Sequence, residues 1–320
     1  MKFTWTDEQK AFADSLESLL SSADTVGAAR AWAENNTEPG LALWNRLAEQ
    51  GVNALVVPEE AGGMGATAVE LVIAFEALGR HGVPGPWVES AAYLPLALGS
   101  NPVVGELAEG AVGSVAVAPN TPYALDADVA AHAFAVDGGV VTTATAGERK
   151  QSVDGTRRLF TPVAGDAVTA DGDLDAAFNL AALATAAQLL GAGERLLDEA
   201  VAYVKQRRQF GREIGSYQAI KHKLADVRIA LDFARPLING AALAIDGPDA
   251  ARDVSAAKVY AADAAYLASR AALQVHGAIG YTQELDLSIW ITKVRALVTA
   301  WGTPAVHRSR VLGALVAAEA

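Results

Sequence analysis

Residues 203–227 read YVKQRRQFGREIGSYQAIKHKLADV, a charged and glycine-broken stretch between two apolar-striped segments. Before it, Leu190, Leu197, Val201 and Val204 fall on one face of a helix predicted to end near Arg208. After it, Ile220, Leu224, Val227 and Leu231 share a face of a second helix, which Pro236 is expected to kink or end. Residues 205–223 hold six Lys or Arg and one Glu, a local charge of +5 in a chain of net charge −12, so the remainder stands at −17. Three readings of that cluster compete. Lys205, Arg207 and Arg208 close a helix and complement its C-terminal dipole. The cations form a solvated face. Or they meet a phosphate, because Gly211 and Gly215 free the backbone and arginine grips phosphate oxygens bidentately.

Working outward, a third helix is predicted over about 250–275 and a fourth over 285–300. Thr303 before Pro304 is an N-cap followed by proline at the first helical position, which opens a terminal helix. In QVHGAIGY (274–281) a helix end runs into Gly277 and Gly280, by itself an ordinary C-cap and turn. Upstream, residues 111–170 change character. Residues 112–118 are strand-like, 132–136 and 140–145 flank Asp137-Gly138-Gly139 as a hairpin, and 157–163 suit another strand. Residues 1–105 are helical again. Thr6 with Gln9 forms a capping-box pattern for a helix through Leu20, and further helices are predicted over 41–50 and 67–78. Two prolines and two glycines in residues 82–86 stop the last of these. The expected fold is mostly α (α+β): a helical unit (1–108), a small β unit (109–173) and a helical bundle (174–320).

Composition removes several function classes. With 52% hydrophobic and 19% charged residues in 320, the chain has material for large buried cores, so disorder is not expected. Its acidic balance argues against a nucleic-acid partner, which needs a basic footprint. There is no cysteine, which excludes disulfides, thiolate metal sites and cysteine nucleophiles together and suits a cytoplasmic address. The opening MKFTWTDEQKAF lacks the apolar run of a signal peptide. Residues 176–192 are interrupted by Asn179, Thr185 and Gln188, so they read as a buried helix and no membrane span is expected. His81, His132, His222, His276 and His307 show no metal-ligand spacing, and no P-loop, G-x-S-x-G or G-x-G-x-x-G motif is present.

Taken together, the segments resemble the acyl-CoA dehydrogenase family over nearly the whole chain, in the family's order. FTWTDEQKAFADSL resembles its first helix, and LWNRLAEQGVNALVVPEEAGGMGATAVELVIAFEALGR its second and third. The opening quotation resembles its R-x-x-F-G-x-x-(I/L)-x-x-x-Q motif, and QVHGAIGYTQE resembles Q-x-x-G-G-x-G-(Y/F)-x-x-E, with Ala278 replacing the second glycine. The resemblance implies an N-terminal helical domain, a middle β domain that is short here, and a C-terminal four-helix bundle. It also implies FAD shared across a subunit interface, with the C-terminal domain holding the adenine–pyrophosphate half. The matching positions are Arg207, Gln209, Phe210, Gln218, Gln274 and Gly277. Thr303 matches the threonine of the family's Gly-Thr pair.

Two departures decide what kind of member is implied. The family's Y-C-x-T-E-P-x-A-G-S-D and W-(I/V)-T-N segments, which cradle the flavin ring, have no counterpart; the nearest stretch is SVAVAPNTPYALDADV. The catalytic Glu is also missing, with Trp301 at one branch's position and Ala181 at the other's. Such a chain resembles the non-catalytic subunit of the actinobacterial α2β2 acyl-CoA dehydrogenases, several of which act on steroid-derived CoA esters in lipid metabolism and steroid catabolism. The partner subunit would then hold the acyl-CoA, the base and the ring pocket, form a trans-2-enoyl-CoA and pass electrons to an electron-transfer flavoprotein. This chain alone is expected to be inactive. A self-sufficient homomeric enzyme with Glu194 or Glu284 as a displaced base, and a flavin-free scaffold, are the alternatives.

Overall fold

Thr6 and Gln9 exchange side-chain and backbone hydrogen bonds, a reciprocal cap that starts helix α1 (Asp7–Ser22) as the spacing predicts. The computed structural model describes residues 3–282 and 284–318. Helices α2 (Thr25–Ala33), α3 (Glu38–Glu49) and α4 (Ala68–Arg80) follow; α4 opens on a second capping box between Thr67 and Glu70. The sequence reading missed α2, whose N-cap is Asp24 and whose Trp32 is its only large apolar anchor. It also named no helix between residue 86 and the end of the helical region near 105. A turn of π-helix (Glu89–Tyr93) continues straight into α5 (Leu94–Leu98), and α6 (Val103–Ala108) follows. Burial of Val88, Ala91, Ala92, Tyr93 and Leu94 holds these short turns together where local propensity does not.

The small sheet has strand order β1-β3-β4-β5-β2, from β1 (Gly113–Val117), β2 (Ala124–Leu125), β3 (His132–Asp137), β4 (Val140–Lys150) and β5 (Leu159–Ala167). Only the β1–β3 pairing is parallel. Gly138 and Gly139, at φ +55° and +82°, make the two-residue turn between β3 and β4.

Helix α7 (Leu174–Gln206) is the spine of the molecule, with α8 (Gln218–Leu243), α9 (Ala250–His276), α10 (Leu287–Leu297) and α11 (Pro304–Ala318) packed around it and on one another. By length and composition α7 could cross a bilayer, yet 89% of its apolar window is buried inside the protein. Pro236 neither ends nor interrupts α8, which runs on to Leu243. Buried Ala234, Ile238, Ala241 and Ala242 on its inner face outweigh the one backbone bond that proline removes. One large apolar core runs through N-terminal helices, sheet and bundle, and a small second cluster of Ala116, Ala124, Ala127 and Phe160 lies at the sheet. Buried polar contacts reinforce the seams: Trp32 donates to Asp126 (3.0 Å), Arg158 bridges Asp126 and Asp128, and Lys293 of α10 donates to Thr156 (2.9 Å).

Candidate functional site

At the end of α7 the chain leaves helical geometry at Arg207 and folds into a miniature hairpin, β6 (Arg208–Gln209) paired with β7 (Arg212–Glu213). Phe210 and Gly211 turn it at φ +55° and +82°, which suits glycine and strains phenylalanine. Phe210 is 91% exposed, an aromatic held in solvent by a strained backbone. The Tyr217 hydroxyl donates toward the carbonyls of Gln209 and Phe210 (3.4 and 3.5 Å), and the Arg212 guanidinium lies 4.0 Å from the Tyr217 ring centroid. Arg208 pairs with Glu213 at 3.1 Å. Among the described residues Lys205, Arg207, Arg212, Lys221 and Lys223 make no ion pair with a carboxylate.

The hairpin delivers the chain to the start of α8, where Gln218 is the first helical residue. No side chain caps that N-terminus and no acid occupies its first turn, so its backbone N–H groups and positive dipole end are left without an anionic partner from the chain's own first turn. That is the chemistry a pyrophosphate requires. Beside it lies a cavity of about 390 Å³ whose charged lining is Lys205, Lys221 and Glu213, with Val201, Val204 and Leu224 as its apolar wall. Gln274 and Gly277 join the same end of the bundle. His276, the last residue of α9, stacks on Tyr203 of α7 at 4.1 Å, and Gly277 follows at φ +67° with open space where a Cβ would stand. Both Gln274 and Gly277 are exposed.

Thr303 is not part of this group. It caps α11 through Val306, and His307 one turn on reaches Ser255 near the start of α9 (3.1 Å). Ser255 precedes His276 by 21 positions in one helix, which at 1.5 Å per residue is about 30 Å. Thr303 instead borders a cleft of about 710 Å³ between the sheet and α10, together with Thr121, Tyr123, Arg157, Arg295 and Thr299.

Trp301, at the position of the expected base, is 1% exposed and packs on Tyr93 (4.8 Å) and Phe178 (6.2 Å). Its φ of +53° and the φ of +99° at Gly302 make the turn into α11, and His307 bonds the Trp301 carbonyl at 2.9 Å. Ala181 is buried in α7. Of the two alternative acids, Glu194 is not placed as a free base. Burial disfavours ionisation of Glu194, but Arg228 (2.6 Å to each oxygen) and Arg235 (3.1 Å) outweigh it and hold the carboxyl below its usual range. Glu284 is exposed.

The sequence reading missed Glu89. It is 1% exposed, neither oxygen has a hydrogen-bond partner, and the equally unpartnered indole N–H of Trp301 lies close by without bonding geometry. Burial pushes its pKa up to about 7 against the pull of the Arg157 charge. The one sequence signal was a lone acid in an otherwise small and apolar run, Val88-Glu89-Ser90-Ala91-Ala92-Tyr93. Among the described residues no cluster of three or more metal-ligating side chains occurs.

Comparison with known proteins identifies the family. Two family models match, the acyl-CoA dehydrogenase N-terminal domain over residues 6–102 and the acyl-CoA dehydrogenase C-terminal domain over residues 174–316. The chain belongs to the acyl-CoA dehydrogenase family. It is 34% identical to acyl-CoA dehydrogenase IpdE2 of Mycolicibacterium smegmatis over 306 residues, covering 93% of this chain and 96% of that protein. Among solved structures it shares the fold of the ChsE4–ChsE5 complex of Mycobacterium tuberculosis (TM-score 0.82, 20% identity, 99% of each chain). It shares it too with a variant steroid ACAD (TM-score 0.82, 21% identity, 98% of each chain). The family is one of oxidoreductases that bind FAD.

Proposed function

We propose that this chain is the non-catalytic subunit of a heteromeric, FAD-dependent acyl-CoA dehydrogenase, with the unit boundaries expected from the sequence. Its part is to supply the adenine–pyrophosphate half-site. The observation that carries the reading is the contrast between its two ends. The base position holds a buried indole wedged between Tyr93 and Phe178, while in the Arg207–Gln218 region Arg207 and Arg212 make no ion pair among the described residues and the N-terminus of α8 has no side-chain cap. Bound there, FAD would supply hydride-accepting chemistry to a site whose base belongs to the partner. Arg207 would hold pyrophosphate oxygens, the first turn of α8 at Gln218 would donate backbone N–H groups, and Phe210, Gln209, Gln274 and Gly277 would shape the adenine side. Thr303 would meet the cofactor at the cleft beside α10, apart from that grip. The names of the relatives favour a steroid-derived CoA ester as the substrate class and an unlike acyl-CoA dehydrogenase chain as the partner, in an α2β2 assembly that passes electrons to an electron-transfer flavoprotein in the cytoplasm.

Arg207→Ala tests the grip. In the assembled complex it should weaken FAD retention by roughly ten- to a hundredfold, the equivalent of about 1.5–3 kcal/mol for a charge-assisted contact, with the helical circular dichroism unchanged. Unaltered FAD affinity would reduce the basic segment to a solvated helix end.

A further inference from the structure

Glu194 is a buried carboxylate that the half-site just described does not use, and it stands where three helices meet. Arg228 of α8 grips it with both arms of its guanidinium, at 2.6 Å to each oxygen. Arg235, two turns further along α8, reaches the same carboxylate at 3.1 Å and Glu76 of α4 at 2.7 Å. We propose, building on the half-site reading, that Glu76, Glu194, Arg228 and Arg235 are the positioning residues of the FAD grip. They fix the angle of α8 against α7 and α4, and so place the N-terminus of α8 relative to Arg207.

Apolar packing sets how close α8 lies but not how it is turned. Leu224, Val227, Leu231, Ala234 and Ile238 are its buried residues along this stretch, and hydrophobic contact has no direction. Next to Glu194, at Gly193, α7 presents no side chain, and a Leu231 methyl of α8 stands 2.7 Å from the place a Cβ would take. The two helices come close at that point, and about such a point a helix can swing. A bidentate arginine–carboxylate pair is directional, because both hydrogen bonds survive only while fork and carboxylate stay aligned. Arg228 and Arg235 share one face of α8, so two attachments along the axis resist a swing that one would allow.

The lever is long. Gln218 opens α8 ten positions before Arg228, about 15 Å along the axis. Arg207 closes α7 thirteen positions after Glu194, about 20 Å away. A swing of about 5° at the crossing would move the first N–H groups of α8 by roughly 1.3 Å, enough to take an N–H···O contact out of bonding range. The charge on Glu194 is secure. Burial works against its ionisation, and the two arginines outweigh burial and hold the carboxyl below its usual range.

The experiment measures FAD affinity of the assembled complex by equilibrium dialysis, beside its melting temperature and hydrogen exchange over residues 207–221 in the FAD-free complex. Glu194→Gln keeps the shape and loses the charge, and Arg228→Lys keeps the charge and loses the fork. Each should weaken FAD binding by roughly three- to tenfold, the scale of one disturbed hydrogen bond, and quicken exchange over 207–221. Asp198→Asn breaks the Arg80–Asp198 pair between α4 and α7 without touching α8, and should change neither. Unaltered FAD affinity in Glu194→Gln, full affinity in Arg228→Lys, or exchange quickened equally along the whole chain overturns the proposal, since each leaves only a stabilising role. Should Glu194→Gln not fold, Arg228→Lys and Glu76→Gln carry the same comparison. Failure of the half-site reading would appear separately, as FAD affinity that does not depend on Arg207.

Discussion

Glu89 and Trp301 occupy adjoining buried positions and leave each other's polar atoms unsatisfied. The acid carries a pH dependence that can be worked out in sign. Its folded value, about 7, lies above the ordinary 4.5, so the folded protein keeps a proton that the unfolded chain releases in between. Its contribution to stability is therefore fully present below pH 4.5 and lost as pH rises through 7. At alkaline pH the buried carboxylate beside Asp126 and Trp301 costs on the order of a few kcal/mol, with Arg157 offsetting part. Glu89→Gln keeps the shape and removes the charge. Its melting temperature should match wild type at pH 5 and exceed it by roughly 5 °C at pH 8.5; a difference independent of pH would show that the carboxyl is already neutralised. Little of this was legible in the sequence. Trp301 stood out because a counted motif put it where a carboxylate is expected. Glu89 did not, because its burial depends on a π turn closing against residues about two hundred positions away.

At the scale of elements, caps and turns read well and packing did not. The Thr6–Gln9 box, the Gly138–Gly139 hairpin and the Thr303–Pro304 start carry their geometry in two to four adjacent residues. Pro236 does not end α8, one of the two outcomes expected of it, because its cost is local and its compensation, the buried inner face of α8, is not. The crossing of α4 and α7 is a further case. A Cβ on Gly191 would collide with the backbone of Glu76, and one on Gly79 with that of Gln188. Two glycines spaced along different helices thus set how closely those helices lie, a pairing no single segment reveals. Gly191→Ala weighs two effects against each other. Alanine favours a helix by about 1 kcal/mol, but the collision is with backbone that cannot rotate aside, and overpacking costs about 1–3 kcal/mol. Urea denaturation should show a net loss of stability; a more stable variant would mean that the helices separate freely.

At the scale of the whole molecule, apolar surface remains on the outside of the bundle. Ile229, Phe233 and Leu237 form an exposed row along α8, and Leu312, Leu315 and Val316 are exposed on α11. Contiguous apolar patches on a soluble fold mark contact surfaces, consistent with a subunit that completes its site only in company. The architecture was legible from chain order alone, helices, then strands, then long helices, because each texture occupies an unbroken stretch. The separation of Thr303 from Arg207, Gln218 and Gly277 was not, since motif matching orders residues along the chain and not in space. The central claim is that this chain holds half of a flavin site. It is tested most directly by counting FAD, on this chain expressed alone and on its complex with an acyl-CoA dehydrogenase chain that carries the catalytic Glu. The account predicts a colourless protein in the first case and one FAD per two chains in the second. A stable yellow protein from this chain alone, with one FAD per chain, would contradict it.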